Sequence, residues 1–232
     1  MENSNQLVSI IIPVFNAEDY IARAIQSGLD QTYSPVEILV VDDGSTDGTA
    51  GIVKSFKEVK YFYQSNQGCA SARNLGLKHS KGDFIAFIDA DDAAPENKLE
   101  IQVGVLKKNK STDIVICHLE NRIEQESELS EYAINHFINR EKISYMSMVV
   151  RRDVFNKVGI FDNKHKIASD FDWITRAKQN GLTVEIIPDI LQYRYIHKNN
   201  ISLRPDAGSN ARRLKMIKEA LDKKRKQHGG VQ

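Results

Sequence analysis

The sequence predicts an α/β fold in which helices cover both faces of a largely parallel β-sheet, giving three layers. Two observations support this prediction. Short apolar runs alternate with segments of helical periodicity through the first half of the chain, and polar or acidic residues directly follow several of those runs. Because ligands of such sheets bind at the carboxyl ends of the strands, we expect these polar residues to meet at one rim of the sheet.

Five strands and four helices are predicted in the first half, the strands from β-branched or aliphatic runs and the helices from apolar residues three or four positions apart. The predicted strands are Val8–Ile12, Val36–Val41, Val59–Tyr63, Asp83–Ile88 and Ile114–Cys117. The predicted helices between them are Glu18–Gln31, Thr46–Lys57, Gly68–Ser80 and Pro95–Lys108. Proline is tolerated in the first turn of a helix, which supports the start at Pro95.

The second half has a weaker periodicity, and we predict a smaller, mixed extension of the sheet there. The predicted strands are Tyr145–Val150, Val184–Ile187 and Leu191–Tyr195. The predicted helices are Arg152–Val158, Asp170–Asn180 and a basic amphipathic helix over about 208–228, and the polar segment Glu120–Arg140 is interpreted as a loop with a helix. Because no repeat or linker divides the chain, we expect one domain over residues 1–232.

The composition excludes several classes of protein. A net charge of +1 on 232 residues argues against nucleic-acid binding, and the 41% apolar and 27% charged shares are those of a soluble globular chain. Cys69 and Cys117 form no CxxC pair, and we expect buried thiols in a reducing compartment. The apolar run Val8–Phe15 is too short to span a membrane and follows no basic segment, so we expect a cytoplasmic protein.

Three carboxylates follow the apolar run Phe84–Ile88, at Asp89, Asp91 and Asp92. Asp89 and Asp91 would face the same way if strand geometry persisted, and two like charges there need a cation between them. A divalent metal that also carries phosphate is the simplest such cation, so the segment predicts a metal-dependent enzyme for a phosphorylated or nucleotide-linked substrate. The alternative is that Asp92 only starts the next helix.

A second acidic segment, Asp42–Gly48, imitates a calcium loop but has Lys54 where the bidentate Glu should be, so that interpretation fails. Such residues also form turns and helix caps, yet the Asp43 carboxylate could accept a hydrogen bond from a nucleobase such as uracil. In the predicted helix after Gly68, Arg73 could clamp a phosphate or pair with Asp43, or simply be a surface residue.

The acids before the helix at residue 170 have two interpretations. Asp170 or Asp172 could cap the helix, or one of them could be a general base for an acceptor hydroxyl. His197 has no metal-ligating partner at useful spacing along the chain. The chain has no Gly-x-Gly-x-x-Gly after a strand, no Walker loop and no Gly-x-Ser-x-Gly elbow, so dinucleotide, P-loop and hydrolase interpretations have no support.

Four motifs in order resemble the family-2 inverting glycosyltransferases with the A-type (GT-A) fold, which is three-layered and Rossmann-like. They are Val8–Asn16, Val41–Asp47, Ala72–Gly76 and Asp89–Asp92. The resemblance is dense over residues 7–120 and looser over about 145–203. It implies a nucleotide-sugar-binding half at about 7–110 and an acceptor-side half at about 111–205.

The resemblance also implies residue roles. Phe15 stacks on the base, Asp43 binds the base, Arg73 holds the nucleotide, and Asp91 ligates Mn²⁺ or Mg²⁺ on the diphosphate. Asp89 touches the ribose or the metal. Further implied nucleotide contacts are Pro13, Asn16 and Ala90.

On the acceptor side, the family's usual Glu-Asp pair is Ser169-Asp170 here, so Asp170 is the implied base and Asp172 the fallback. His197 and Ser202 belong to a segment that resembles the loop over the diphosphate. That segment departs from the Gln-x-x-Arg-Trp form of processive enzymes, which implies the addition of one sugar.

The resemblance thus implies a metal-dependent enzyme that inverts the sugar it moves from a nucleoside diphosphate, uridine by family habit, to an acceptor of unknown class. Ser169 in place of Glu leaves open a nucleotide-sugar-binding protein without turnover. A nucleotidyltransferase is a further alternative, although residues 13–20 lack its Gly-rich basic loop. The basic helix could touch an anionic membrane at its inner face or pack as a solvated element.

Overall fold

The computed structural model describes residues 6–124, 143–164 and 169–200. The strands there are β1 (Val8–Val14), β2 (Val36–Asp42), β3 (Val59–Tyr63), β4 (Phe84–Phe87), β5 (Ile114–Ile123), β6 (Val149–Arg151) and β7 (Val184–Ile196). The helices are α1 (Ile21–Leu29), α2 (Thr49–Ser55), α3 (Cys69–His79), α4 (Lys98–Lys108), α5 (Val154–Val158) and α6 (Ser169–Gln179), and a 3₁₀ turn spans Tyr145–Ser147.

The strands form one seven-stranded sheet in the order β3-β2-β1-β4-β6-β5-β7. Only β6 runs antiparallel to its neighbours, so the other six strands end at the same rim. Apolar side chains of α1, α2 and α4 pack on one face of the sheet, and those of α3, α5 and α6 pack on the other. The predicted three-layer α/β fold with a mixed extension is confirmed.

The extension departs from the sequence prediction in three places. The predicted strand Tyr145–Val150 is wrong, because its first residues form the 3₁₀ turn and the strand covers only Val149–Arg151. β5 continues to Ile123 through residues that we interpreted as loop. The two predicted strands after residue 184 are one edge strand, in which a register shift opposite Cys117 and His118 accommodates Pro188.

Close packing of α3 on β1 brings its polar residues to the rim. A Cβ on Gly76 would lie 2.5 Å from the Cγ2 atom of Ile11, so only glycine permits this approach of helix and strand. Arg73 lies one turn earlier on the same helix and is carried to the carboxyl end of the sheet as a consequence.

No helix in the described ranges is long and apolar enough to cross a lipid bilayer. The predicted basic helix over 208–228 lies outside the described residues, as does most of the segment Glu120–Arg140.

A lysine is buried beneath the sheet without a carboxylate partner among the described residues. The Lys98 side chain, only 2% exposed, donates from Nζ to the carbonyl of Ser147 at 2.8 Å and lies 3.6 Å from the Sγ atom of Cys117. Burial lowers the pKa of the Lys98 ammonium below its ordinary value. The Ser147 carbonyl has a second donor, the Gln102 amide at 3.0 Å, and does not depend on the lysine.

This lysine makes the stability of the fold depend on pH. Between its lowered folded pKa and an unfolded pKa of about 10.4, the unfolded chain holds a proton that the folded chain lacks, so the free energy of unfolding rises with pH. We expect Lys98→Met to raise the free energy of unfolding at pH 7 by about 1 kcal/mol or more and to flatten this rise. Urea denaturation at pH 7, 8, 9 and 10 measures both effects. An unchanged pH slope in the variant would contradict the assignment.

Candidate active site

The acid turn, residues Asp89–Asp92, lies where β4 ends at the rim. The strand stops at Phe87, and the amide of Asp92 donates to the carbonyl of Asp89 at 3.0 Å to close a turn. Strand geometry therefore does not persist, so the condition under which Asp89 and Asp91 would face the same way is not met. Their carboxylates contact different partners.

Asp91 meets a segment more than a hundred positions away in the sequence. Its Oδ2 atom accepts a hydrogen bond from the Asn200 amide at 3.1 Å and lies 3.4 Å from Nε2 of His197. The Asp91 side chain remains one-third exposed, whereas His197 and Asn200 are buried. The end of β7 thus brings the predicted diphosphate loop onto the predicted metal ligand. Ser202, the other predicted loop residue, lies outside the described residues.

Tyr20, just before α1, holds this segment from the other side. Its ring stacks on the His197 imidazole with centroids 4.1 Å apart, and its side chain is hydrogen-bonded to that of Asn199. The His197–Asn200 segment is therefore packed between α1 and the acid turn.

Asp89 is paired with Arg73, which also reaches α6. The Arg73 guanidinium donates to Asp89 Oδ1 at 3.0 Å and to the Ser169 hydroxyl at 3.3 Å, and it is only 7% exposed. The sequence left Asp43 as a partner for Arg73, and the structure gives Asp89 instead. Ser169, which stands where the family usually has Glu, thus accepts a hydrogen bond from Arg73 through its hydroxyl.

The charges at this point of the rim are strongly coupled. Burial alone would lower the pKa of Arg73, but the neighbouring Cys69, Asp89 and Asp170 raise it above its usual range. Burial raises the pKa of the Cys69 thiol to about 11, so this free cysteine is a neutral thiol at pH 7. The site can therefore hold a permanent cation beside two carboxylates.

The pKa values of two acids in the turn are raised, chiefly by burial. For Asp89, the nearby Asp91 adds to the increase, while Arg73 and Arg194 oppose it. Asp92 is buried and accepts from the Gln192 amide at 2.6 Å, and its pKa lies well above the usual range. Asp91, more exposed than Asp92, is the acid best placed to meet a ligand.

Of the two candidate bases, Asp172 is committed to a local ion pair. Its Oδ2 accepts from Nε of Arg176 at 2.8 Å, and that guanidinium also donates to the carbonyls of Val158 and Ile160. Asp170 is partly exposed and close enough to Arg73 to affect its pKa. This geometry favours Asp170 as the group that faces a reacting hydroxyl.

Asp43 is buried and accepts three hydrogen bonds from the loop that follows β3. Its Oδ1 accepts from the Gln64 amide at 2.6 Å and from the backbone of Gln67 at 2.8 Å, and its Oδ2 accepts from the backbone of Gly68 at 2.8 Å. A carboxylate has about four acceptor positions, so one is left for a ligand. Its neighbour Asp42 is fully buried and accepts from Ser45 and Tyr61, which makes it structural.

The loops after β1 and β2 are joined in a reciprocal clasp, defined by the hydrogen bonds of Asn16 and Glu18 to Ser45–Gly48. The Asn16 amide oxygen accepts from the backbone of Thr46 at 2.8 Å, and the Ser45 hydroxyl accepts from the backbone of Asn16 at 2.9 Å. Asn16 has φ of 48°, a left-handed conformation that asparagine tolerates.

The clasp leaves Phe15 exposed at the rim. Its ring is 49% exposed, while Pro13 stays in the ladder of β1. An apolar ring held at the end of a strand by a rigid loop offers a stacking surface for a base. The predicted contact of Phe15 stays a prediction, as do those of Pro13 and Ala90.

A divalent metal fits the donor set of the acid turn only with help from a ligand. No group of three His, Cys, Asp or Glu side chains in the described ranges is arranged to hold a metal ion. Asp91 offers a partly exposed carboxylate, and Asp89 is shared with Arg73. Mg²⁺ is usually bound by one or two carboxylates together with substrate phosphates, which matches these residues.

Sequence reasoning missed several residues that complete the site. Gln64 and Gln67 were not identified, although they lie directly after a predicted strand, where a rim residue is expected. Tyr20 and Arg23 are three positions apart on a predicted helix, and their polar groups carried no recognisable signal. Arg194 lies near the acid turn because Tyr193, the residue before it, pairs with Ala93. This register of β7 could not be predicted from the sequence.

The sheet and its acidic rim define an α/β protein of the GT-A fold. A model of the family described as "Glycosyl transferase family 2" matches residues 9–165, and the chain belongs to this family. An uncharacterized glycosyltransferase of Rickettsia typhi is 36% identical over 181 residues, which are 72% of this chain and 57% of that relative. Escherichia coli WfgD, a UDP-Glc:alpha-D-GlcNAc-diphosphoundecaprenol beta-1,3-glucosyltransferase, is 46% identical over 106 residues, 44% of this chain and 42% of WfgD.

Solved structures that share the fold include two nucleotide complexes. Staphylococcus aureus TarS 1-349 in complex with UDP has a TM-score of 0.67 and 22% identity, and the match covers 94% of this chain and 72% of TarS 1-349. The mannosyltransferase PcManGT from Pyrobaculum calidifontis, in complex with GDP-Man and Mn²⁺, has a TM-score of 0.66 and 20% identity over 85% of this chain and 59% of that one.

Proposed function

We propose that this chain is a metal-dependent inverting glycosyltransferase that moves one sugar from a UDP-linked donor to an acceptor hydroxyl. The observation that carries the proposal is the convergence at one rim of Asp91 with the His197–Asn200 segment. Family membership and a fold shared with nucleotide-sugar complexes support it. Asp91, with Asp89, would hold Mn²⁺ or Mg²⁺, which when bound supplies several kcal/mol of charge stabilisation for the departing diphosphate, about a thousandfold in rate.

The other roles in the proposed reaction belong to side chains of this protein. Asp170 takes the proton of the acceptor hydroxyl, a contribution of about 10²–10⁴ in rate. Arg73 keeps a positive charge beside Asp89 and, through Ser169, fixes the start of α6 next to the base. With Asp170 as the base, the acceptor oxygen would attack the face of the sugar opposite the departing nucleoside diphosphate, and this direct displacement inverts the anomeric centre.

A preference for uracil over guanine follows from the one acceptor position left on Asp43. Uracil presents a single imide N–H, whereas guanine presents N1–H and an exocyclic amine side by side. One N–H group of guanine would therefore be left without a hydrogen-bond acceptor, which costs about 1–3 kcal/mol of binding free energy. Stacking of the base on Phe15 adds affinity but no such discrimination, because every base has an aromatic face.

Nucleotide binding tests this preference with a matched pair of variants. In isothermal titration with Mn²⁺, we expect UDP to bind about tenfold or more tightly than GDP. Gln64→Ala frees an acceptor position on Asp43 and should reduce the difference in affinity between UDP and GDP. Gln67→Ala is the control, because Gln67 donates to Asp43 from its backbone and its side chain donates to Ser65 instead. Equal binding of the two nucleotides by the unaltered protein would reject uracil selection.

Turnover is tested by incubating the protein and Mn²⁺ with nucleotide sugars and measuring nucleoside diphosphate release, with and without candidate acceptors. Release that depends on the metal and on a UDP sugar supports the proposal. Tight donor binding without any release would identify a binding protein, the outcome that Ser169 in place of Glu would then explain. Pyrophosphate as the product would identify a nucleotidyltransferase.

A further inference from the structure

Arg23 on α1 connects three parts of the molecule at the acid turn. Its guanidinium donates to the backbone carbonyl of Asp91 at 3.0 Å and forms an ion pair with Glu124, which follows β5. The central carbon of the same group lies 3.4 Å above the ring of Tyr195 on β7. The side chain does not touch the Asp91 carboxylate, so its influence there passes through the backbone.

A second arginine extends this arrangement along β7. The Arg122 guanidinium lies 3.4 Å above the ring of Tyr193 and donates to the Tyr195 hydroxyl at 3.4 Å. We call the four side chains Arg23, Tyr195, Arg122 and Tyr193 the cation–aromatic ladder. Stacked arginine–aromatic contacts of this kind contribute about 0.5–2 kcal/mol each.

The ladder contacts the acid turn at one end and the residue that directly follows the turn at the other. At one end Arg23 binds the carbonyl of Asp91, and at the other the backbone of Tyr193 exchanges two hydrogen bonds with Ala93, at 2.8 and 3.0 Å. The turn is therefore held at Asp91 by a guanidinium that stacks on Tyr195, and just beyond its end by the backbone of Tyr193, whose ring stacks on Arg122.

Repulsion between the acids of the turn explains why contacts that hold its backbone in place would matter. The turn places three acids within four consecutive residues, and repulsion between like charges favours spreading them apart when no cation lies between them. A metal ligand that has spread must be ordered again at binding, which weakens affinity. A guanidinium on the backbone opposes this spreading and leaves the carboxylate available.

We propose that Arg23 is a positioning residue that sets the affinity of Asp91 for a divalent metal, acting through the backbone of the acid turn. The inference rests on the proposed function, in which Asp91 is a metal ligand. Lysine cannot replace arginine here, because a single ammonium cannot stack over Tyr195 while donating in two directions. Arg23→Lys therefore keeps the charge and removes the geometry.

The experiment compares the unaltered protein with Arg23→Lys and Arg122→Lys. Lys107→Gln is the matched control, because it removes a cation–aromatic contact of 5.1 Å with Tyr33, away from the acid turn. Electron paramagnetic resonance of free Mn²⁺ in the presence of UDP gives the dissociation constant of the metal. Hydrogen exchange of the acid-turn amides is measured without metal, and thermal melting is recorded for all four proteins.

We expect Arg23→Lys to raise the Mn²⁺ dissociation constant about tenfold, as loss of an outer partner of a metal ligand does. Acid-turn amides should exchange faster in the metal-free variant, and UDP binding without metal should be unchanged. Arg122→Lys should change the Mn²⁺ dissociation constant and the amide exchange in the same direction but by less. Lys107→Gln should change neither quantity, even if the variant has a lower melting temperature.

Two results would overturn the proposal in distinguishable ways. Normal Mn²⁺ affinity and normal exchange in both arginine variants would reject the positioning role while leaving the proposed function intact. Failure of the unaltered protein to bind Mn²⁺ with UDP would reject the proposed function and this inference with it. Should Arg23→Lys fail to fold, Arg122→Lys carries the same comparison from the other end of the ladder.

Discussion

Asp91→Asn is expected to abolish metal-dependent binding of UDP and to reduce sugar transfer by about a thousandfold or more. The substitution keeps the side-chain volume but removes the one acid of the turn that is both partly exposed and free of an arginine ion pair. The expected loss equals the several kcal/mol that a metal contributes to a charged leaving group.

Calorimetric titration of UDP with and without Mn²⁺ measures the first effect, and nucleoside diphosphate release measures the second. Asp92→Asn is a suitable control, because Asp92 is buried, its pKa is raised well above the usual range, and an amide oxygen can still accept from Gln192. Undiminished enhancement of UDP binding by Mn²⁺ in Asp91→Asn would show that the metal is held elsewhere.

Asp170→Asn is expected to leave UDP and Mn²⁺ binding unchanged and to reduce transfer by about 10²–10⁴. The side chain keeps its size and its place at the start of α6, while its ability to take a proton is lost. A group that acts only in the chemical step affects turnover and not donor affinity.

The comparison with Asp172→Asn separates the two candidate bases. Breaking the pair with Arg176 should lower the melting temperature, because that guanidinium also fastens the carbonyls of Val158 and Ile160 to α6. Turnover per folded molecule should be retained. If Asp172→Asn lost turnover at normal stability while Asp170→Asn kept it, the base would have to be reassigned.

The order of strands and helices up to residue 117 was predictable because each element buries an apolar face with its own period. Val8–Val14 and Phe84–Phe87 are buried throughout, as central parallel strands must be, and no other element type fits such short runs. Helix α1 likewise repeats apolar residues every three or four positions.

The end of β5 was not predictable on the same grounds. Residues 118–123 are mostly polar, which a loop would also be, and their strand is stabilised by pairing with β7 and by Arg122 stacking on Tyr193. Long-range contacts of this kind leave no periodic signal in the chain. The failure at Tyr145 has a local origin, since the Ser144 hydroxyl accepts from the backbone of Met146 and favours a turn over a strand.

At the site, residue types were easier to predict than partners. The acids of the turn and the Arg73 helix follow from their positions after strands, and the resemblance to a family added Asp170. Which side chains meet depends on the turn after Phe87 and on the register of β7, so the pairing of Arg73 with Asp89 and of Asn200 with Asp91 required the structure.

The clasp between Asn16 and the loop after β2 fixes the backbone of both loops before any ligand binds. Because five hydrogen bonds join these two loops, both lose their conformational freedom as the chain folds. If the proposed function holds, a nucleoside would bind at a loop surface whose backbone is already fixed before it arrives. We would then expect the association of UDP to follow a single kinetic phase in stopped-flow measurements, without a slower conformational step.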